Sequence, residues 1–390
     1  MKKVCMVAYT HYLSDPRVRR EAEALAERKD KVDCICLKRK GQNKSAFIDG
    51  VRLYRISVPR YKGSNIFFYM LSYISFFIFS SLKLIFLFLK ERYDIIQVHN
   101  LPDFMVFTSF LPKLLGAKVI LDMHDLMPEL YLSKFKLDYN HPVIKIITWV
   151  ANVSMSFANH VITVSEIWRE RLISRGLPAS RCTVVMNLPD TRIFKERQFR
   201  IRNGNNFRLI HHGSMSKRQD LDIVIKAVAK VRTHIPNIEF EIIGEGEELS
   251  NIIALVKSEN LENCIYIKGN FVPVEQLPQI ICQADVGIVT YKVDKFIDEA
   301  ISTKLFEYVI LGVPVISVRT KSAEAYFDDS SVSFFASADL EGLVNCIIGL
   351  YRYPRKRQEL AINAQKVLLT HSWQNYKNAY YKLIDDLVLA

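Results

Sequence analysis

Short apolar runs alternate with longer stretches of helical period from one end of the chain to the other. Runs at residues 3–9, 32–37, 51–58, 94–99, 118–123, 160–165 and 182–186 predict strands, and most of the intervening segments carry helical spacing. Alternation of this kind predicts a parallel sheet with helices on both faces. The pattern then restarts with Phe207 to His212, Phe240 to Ile243, Ile265 to Lys268, Val286 to Thr290 and Val315 to Val318, which predicts a second doubly wound domain. Between the two series, Thr191 to Asn206 is polar, rich in arginine and contains Asn203-Gly204-Asn205-Asn206, the composition of a linker. The expected organisation is a first domain over residues 1–190, a linker over 191–206, and a second domain over 207–371. A tyrosine-rich amphipathic helix is expected within 372–390, its apolar stripe packing back toward the first domain.

One run breaks the rhythm. Ile66 to Leu89 is apolar and aromatic, with Lys83 as its only charge, and is long enough to cross a bilayer. Serines at 72, 75, 80 and 81 dilute it, and a strand follows almost at once, so a lone span would cut the sheet in two. The expected form is a helix on the sheet whose outer face dips into a membrane surface, with Arg60, Lys62, Lys90 and Arg92 facing anionic lipid. Val4 to Ala8 is too short for a signal peptide and is expected to be the first strand, so the expected location is cytoplasmic, on the inner face of the cell membrane.

Composition narrows this picture. The chain has 390 residues, more than one hydrophobic core usually serves, in keeping with two domains. Its net charge of +12 favours anionic partners: phosphorylated ligands, acidic membrane or nucleic acid. Nucleic acid is disfavoured because the cations are dispersed and not interleaved with aromatics in one stripe. The seven cysteines have neither CxxC nor His/Cys metal spacing, which predicts reduced structural thiols and no zinc site.

Ligands of open parallel sheets bind beyond the carboxyl ends of the strands, and those positions are polar here. After the first strand, Asp15-Pro16-Arg17-Val18-Arg19-Arg20 combines an N-cap, a first-turn proline and three arginines that oppose the helix dipole. They either contact an anion or acceptor, or pair with Glu21 and Glu23. After the fifth strand, His124-Asp125 with Glu129 is suited to sugar contacts, and His99-Asn100 adds a second polar strand end. In the second half, Gly213-Ser214 with Arg218 before a helix suits a diphosphate, while Asp220-Leu221-Asp222 is expected to cap that helix and not to hold a metal. Gly244-Glu245-Gly246 is a weak signal by itself.

The densest chemistry runs from Glu299 to Gly312. Residues 304–311 predict a helix stopped by Gly312 and Pro314; Lys304 and Glu307 share its face, and Glu299 precedes it in the loop. A loop carboxylate, an ammonium and a helix carboxylate can hold a sugar, a phosphate and a hydroxyl pair. A solvated Lys/Glu face has the same spacing.

Taken in order, these segments resemble the family-4 glycosyltransferases of the GT-B fold, in particular those that build bacterial surface and capsular polysaccharides. The likeness rests on Asp15 to Glu21, Asp49 to Tyr54, His124 to Tyr131, His212-Gly213 with Arg218, Ile243 to Gly246, Ala284 to Ile288 and Thr303 to Tyr308, with Glu299 and Glu307 as the E-x7-E element. It implies two Rossmann-like domains facing across a cleft, and retaining transfer of a hexose-type unit from a nucleotide-diphospho sugar, a UDP-sugar for preference. No cofactor or metal is expected, and the implied acceptor is lipid-linked or a growing polysaccharide.

By that resemblance Glu307 holds the ribose hydroxyls, Lys304 and Arg218 the diphosphate, and Glu299 the donor sugar. Gly213 allows close backbone approach, Phe271 and Val272 line the base, and Ser214, Gly244, Ser302, Thr303 and Leu305 complete the donor side. His124 contacts the donor sugar near the anomeric carbon, and Asp15, Arg17, His99, Asp125 and Glu129 fall on the acceptor side. The chain departs from the family pattern in lacking a glycine pair after the first strand, in Ser214 and Gln219 where basic residues are frequent, and in Ala300 and Ser302 where glycines are common. A non-catalytic sugar-nucleotide-binding subunit and a sugar-nucleotide epimerase are the competing expectations.

Overall fold

The computed structural model describes residues 1–61, 66–201 and 204–389. Lys62, expected in the basic flank, and Asn203, expected in the linker, lie outside the described residues. The chain forms two compact units, Met1–Asn187 with Gln374–Ala390, and Leu188–Trp373.

The first unit holds eight strands: β1 (Lys3–Ala8), β2 (Lys31–Leu37), β3 (Ser45–Ile48), β4 (Val51–Ile56), β5 (Ile95–His99), β6 (Lys118–Met123), β7 (His160–Thr163) and β8 (Cys182–Val184). Their order is β3-β4-β2-β1-β5-β6-β7-β8, parallel except for the β3–β4 pair. The second unit holds β9 (Phe207–His212), β10 (Ile238–Ile243), β11 (Ile265–Lys268), β12 (Val286–Val289), β13 (Val315–Val318) and β14 (Ser333–Phe335), in the order β11-β10-β9-β12-β13-β14 and all parallel. Central strands such as β5, β12 and β13 are buried along their length, because helices cover both faces. The sequence pattern missed β3 and β14. Both are short edge strands, paired on one side only, and their mixed burial leaves no long apolar run to read.

Each sheet reverses direction once, between β1 and β5 in the first and between β9 and β12 in the second. At such switch points the loops leaving neighbouring strands diverge to opposite faces and open a crevice.

The helix Ile66–Glu91 lies on the first unit with Ser72, Phe76, Ser80, Leu84, Leu87 and Phe88 buried, a repeat of three to four that marks one face. Ser72 is tied to the Tyr9 hydroxyl at 2.5 Å, and the Lys83 ammonium sits 4.5 Å from the Tyr54 ring centre. The opposite face exposes Leu71, Ile78, Phe79, Leu82, Phe86 and Leu89. By length and composition this helix could cross a membrane.

The polar stretch read as a linker is anchored to the second unit: Arg197 N–H donates to the Ile310 carbonyl at 2.9 Å, and Gln365 Nε2 to the Arg197 carbonyl at 2.7 Å. The terminal helix Trp373–Leu389 belongs to the first unit, where the Tyr380 hydroxyl donates to Gln97 Oε1 at 2.6 Å.

Candidate active site

At the first switch point, a cavity of about 190 Å³ is lined by Tyr9, Asp15, Arg60, His99, His124 and Asp125. The loop after β6 is clamped by Asn100, whose Oδ1 accepts the His124 N–H at 2.7 Å and whose Nδ2 donates to the Asp125 carbonyl at 2.7 Å. Asp15 caps its helix as expected, accepting the Val18 N–H, with Pro16 in the first turn.

Beneath the cavity lies a buried charge set. Arg17 donates to both oxygens of Asp122, at 2.6 and 3.1 Å, and to the Val185 carbonyl at 2.7 Å. His99 Nδ1 lies 3.0 Å from Asp122 Oδ2 and 3.0 Å from His124 Nε2. Burial favours the neutral acid, yet the Arg17 charge and the His124 and His99 contacts outweigh it and hold Asp122 well below the usual carboxylate range. Glu21 is the second carboxylate beside Arg17. Burial, reinforced by Asp122 and opposed by Arg17, pushes its carboxyl up to about 8. One guanidinium compensates one carboxylate, and the other keeps its proton.

His99, Asp122 and His124 place their ligand atoms within 4.8 Å of one another, a spacing that suits a metal ion. Arg17 already occupies Asp122 with two hydrogen bonds, so a dication there would face a fixed positive charge. The set is better suited to orienting His124, whose Nε2 is turned inward to His99 and Asp122.

Three acceptor-side expectations fail on burial: His99 is 1% exposed, with its Nδ1 turned to Asp122 and His124. Arg17 is 2% exposed and committed to Asp122, Glu21 and Val185, so it cannot meet a ligand directly. Glu129 is 4% exposed and ion-paired with Arg171 and Arg175. Internal pairing is thus the answer for the arginine-rich helix start, with Arg19 on Glu23 at 2.7 Å.

At the second switch point, β9 ends in His211-His212 and turns at Gly213, whose φ of +119° favours glycine. A side chain on Gly244 would run into the Gly213 carbonyl, so that glycine serves the packing of one strand-end loop on the next. The helix after β12 runs Thr303–Ile310 and carries Lys304, Glu307 and Tyr308. Lys304 is buried and donates to Gln219 Oε1 at 2.8 Å, beside the Gly213 turn. His212 Nε2 lies 2.5 Å from Glu307 Oε2. Arg218 stands over the Phe296 ring at 5.5 Å from its centre, and the Ser302 hydroxyl bonds Tyr291 at 2.9 Å.

The structure therefore gathers Gly213, Lys304 and Glu307 around one turn, with Gln219 and His212 as partners the sequence reading had not assigned to the site. Ser214 is exposed on that turn, and Ser302 and Thr303 open the helix. Glu299 is half-buried in the turn preceding it. Leu305 is 1% exposed and packs inward, so its side chain offers nothing to a donor. Phe271 and Val272 follow β11, two strands from the switch point. Asp220 does not cap: its backbone is left-handed, with φ +49°, its side chain makes no cap bond, and its carboxylate faces Lys292 at 3.7 Å. The doubled histidine at the end of β9 was the available signal for His212; a carboxylate inside the apolar run 118–123 was the signal for Asp122.

Residues 14–187 match the glycosyl transferase 4-like domain, and residues 193–367 match the glycosyl transferases group 1 domain. Among curated relatives, the chitobiosyldiphosphodolichol beta-mannosyltransferase of Candida glabrata is 22% identical over 295 residues, 67% of this chain and 64% of that protein. The chain thus spans less than two thirds of that relative's length. The amylovoran biosynthesis glycosyltransferase AmsK of Erwinia amylovora is 23% identical over 160 residues, 40% of this chain and 38% of that protein. Among solved structures, sucrose-phosphate synthase from Thermosynechococcus elongatus superposes with a TM-score of 0.80 at 15% identity, covering 99% of each chain. Anabaena HepE in complex with UDP and glucose gives 0.71 at 16% identity, over 99% of this chain and 100% of that one. At these identities the solved structures speak for the fold.

Proposed function

From a chain that belongs to the family-4 glycosyltransferases of the GT-B fold, we propose an enzyme that moves a sugar from a nucleotide-diphospho sugar to a lipid-linked or growing polysaccharide acceptor. The observation that carries this reading is the cluster at the β9 turn: Gly213 with its left-handed backbone, a buried ammonium at Lys304 and a carboxylate at Glu307, all at the switch point. Lys304, with Arg218, takes the diphosphate; Glu307 takes the ribose hydroxyls; Glu299 takes the donor sugar. Cations fixed in a partly dry site stabilise the charge of the departing diphosphate without a metal. A UDP-sugar is favoured as donor, in line with the UDP bound in HepE.

Transfer with retention follows from the family resemblance, with the donor phosphate oxygen accepting the proton of the attacking hydroxyl. His124, at the rim of the first-unit cavity, contacts the donor sugar near the anomeric carbon, and Asp15 and Asp125 line the acceptor side. The relatives named for a dolichol-diphosphate sugar and for amylovoran support an acceptor on a lipid carrier in surface polysaccharide synthesis.

With such an acceptor, the location that this reading assigns to the enzyme is the inner face of the cell membrane. The outward row Leu71, Ile78, Phe79, Leu82, Phe86 and Leu89 provides the apolar contact, joined by Leu114 and Trp149 on other helices of the same unit. Lys90 and Arg92 at the helix end suit anionic headgroups.

The test is direct. Purified protein with membranes or undecaprenyl-linked acceptor and a panel of labelled UDP- and GDP-sugars should yield glycosylated lipid, and NMR of the product should show the donor's anomeric configuration. Donor binding with neither transfer nor slow hydrolysis for any pair would defeat the enzymatic reading, and an inverted linkage would defeat retention.

A further inference from the structure

One oxygen of Glu307 is already engaged inside the protein. His212 Nε2 lies 2.5 Å from Glu307 Oε2, and His212 Nδ1 lies 2.9 Å from the Tyr308 hydroxyl. Consecutive helix residues point about 100° apart and rarely share a partner. Here the two nitrogens of one imidazole reach both, because the ring stands perpendicular to the Tyr308 ring with centres 5.0 Å apart. The arrangement needs Gly287 on β12, where an added Cβ would come within 2.6 Å of the Tyr308 ring. All of it is sheltered: His212 is 3% exposed and Tyr308 is 0% exposed.

Counting protons limits the possibilities. A carboxylate accepts, so the His212 nitrogen facing Glu307 carries hydrogen. The Tyr308 hydroxyl has one proton and two acceptors in reach, His212 Nδ1 at 2.9 Å and the Ile210 carbonyl at 3.2 Å. With neutral imidazole it donates to Nδ1. With imidazolium, Nδ1–H donates to the phenol oxygen, and the phenol turns to Ile210. Burial keeps the phenol protonated in either case, raising its pKa well above the ordinary value. Glu307 Oε2 therefore keeps its hydrogen bond in both states, and Oε1 remains for a ligand.

We infer that His212, its tautomer held by Tyr308, is a positioning residue that orients the Glu307 carboxylate for the donor nucleotide and sets the preference for ribose over deoxyribose. The inference rests on the reading of Glu307 as the ribose ligand. Oε1 facing two vicinal hydroxyls loses them if the carboxylate rotates, and among the described residues the His212 bond is the side-chain hydrogen bond that restrains that rotation.

The measurement is calorimetric affinity of the full chain for UDP and 2′-deoxy-UDP, and for GDP and 2′-deoxy-GDP. Losing a hydrogen bond to a charged acceptor should make the deoxynucleotide bind about tenfold or more weakly to the wild type. Glu307→Gln should reduce that ratio to about threefold or less. His212→Asn keeps an amide toward Tyr308 but withdraws the donor from Glu307, and should do the same; His212→Gln, which returns a donor near Nε2, should restore most of it. Tyr308→Phe should give an intermediate ratio, and it carries the test if His212→Asn does not fold. A wild-type ratio in His212→Asn, or in Tyr308→Phe where that variant must stand in, overturns the positioning role while leaving the ribose assignment intact. Equal binding of both nucleotides by the wild type, or an unchanged ratio in Glu307→Gln, removes the ribose role, and the inference falls with it.

Discussion

Replacing Glu21 by glutamine should make the first unit more stable at pH 8 than the wild type while leaving it nearly unchanged at pH 5. Arg17, Glu21 and Asp122 are 2%, 0% and 0% exposed, with Glu21 Oε1 3.3 Å from Arg17 Nε. Burial is the largest cause of the rise of the Glu21 carboxyl from 4.5 to about 8. An acid whose folded pKa is raised holds its proton more tightly folded than unfolded. Its contribution is complete below the unfolded value of 4.5 and is lost as pH rises through 8. Between pH 5 and 8 the loss is about 3–4 kcal/mol, at about 1.4 kcal/mol for each pH step over which only the unfolded state has lost the proton. Glutamine is neutral and of the same shape, and Gln97 Nε2, which donates to Glu21 Oε2 at 2.8 Å, keeps an acceptor. Thermal unfolding of both proteins at pH 5, 6, 7 and 8 reads the difference. At about 2–4 °C per kcal/mol for a unit of this size, the variant should gain roughly 6–15 °C on the wild type across that range. Other titrating groups, such as Asp103, which burial pushes up to about 6, are common to both curves and cancel. Parallel curves, with a constant offset at every pH, would refute the claim that Glu21 is the protonated member of the set.

Three further outcomes follow from the same structure. His124→Ala should leave nucleoside diphosphate affinity within about twofold yet lower turnover at least tenfold, in the range ascribed to groups positioned at a reacting centre; retained turnover would take His124 off the reacting centre. Exchanging Phe79, Leu82 and Phe86 for serine should release the protein from anionic vesicles in flotation, since these side chains are 54%, 61% and 63% exposed and burying each contributes about 1.5–3 kcal/mol. A wild type that does not float with the vesicles would sink the membrane reading. Gly287→Ala should destabilise the second unit by about 1–3 kcal/mol through overpacking against Tyr308, seen as a lower urea midpoint; an unchanged midpoint would mean that the ring moves freely.

The two-domain α/β architecture was legible along the chain, because buried parallel strands are apolar along their length and leave a signal that needs no tertiary knowledge. The sequence also singled out candidate ligand positions, the polar residues directly after such strands. The Lys304–Glu307 helix and the His124 strand end were legible on those grounds. Charge alone was not: Glu129 read as an acceptor contact and Arg17 as either an acceptor contact or a partner of Glu21 and Glu23, and only the fold shows that each meets a counter-ion more than 40 residues away in the chain. Asp220 read as a cap, and its left-handed backbone turned the side chain to Lys292. Partnership between distant residues is set by strand order, which brings β9 beside β12 and so delivers His212 to Glu307. Strand order is fixed by how helices pack on both faces of a finished sheet, and no local spacing encodes it. The pattern along the chain placed the carboxylate, and the tertiary structure decided which groups hold it still.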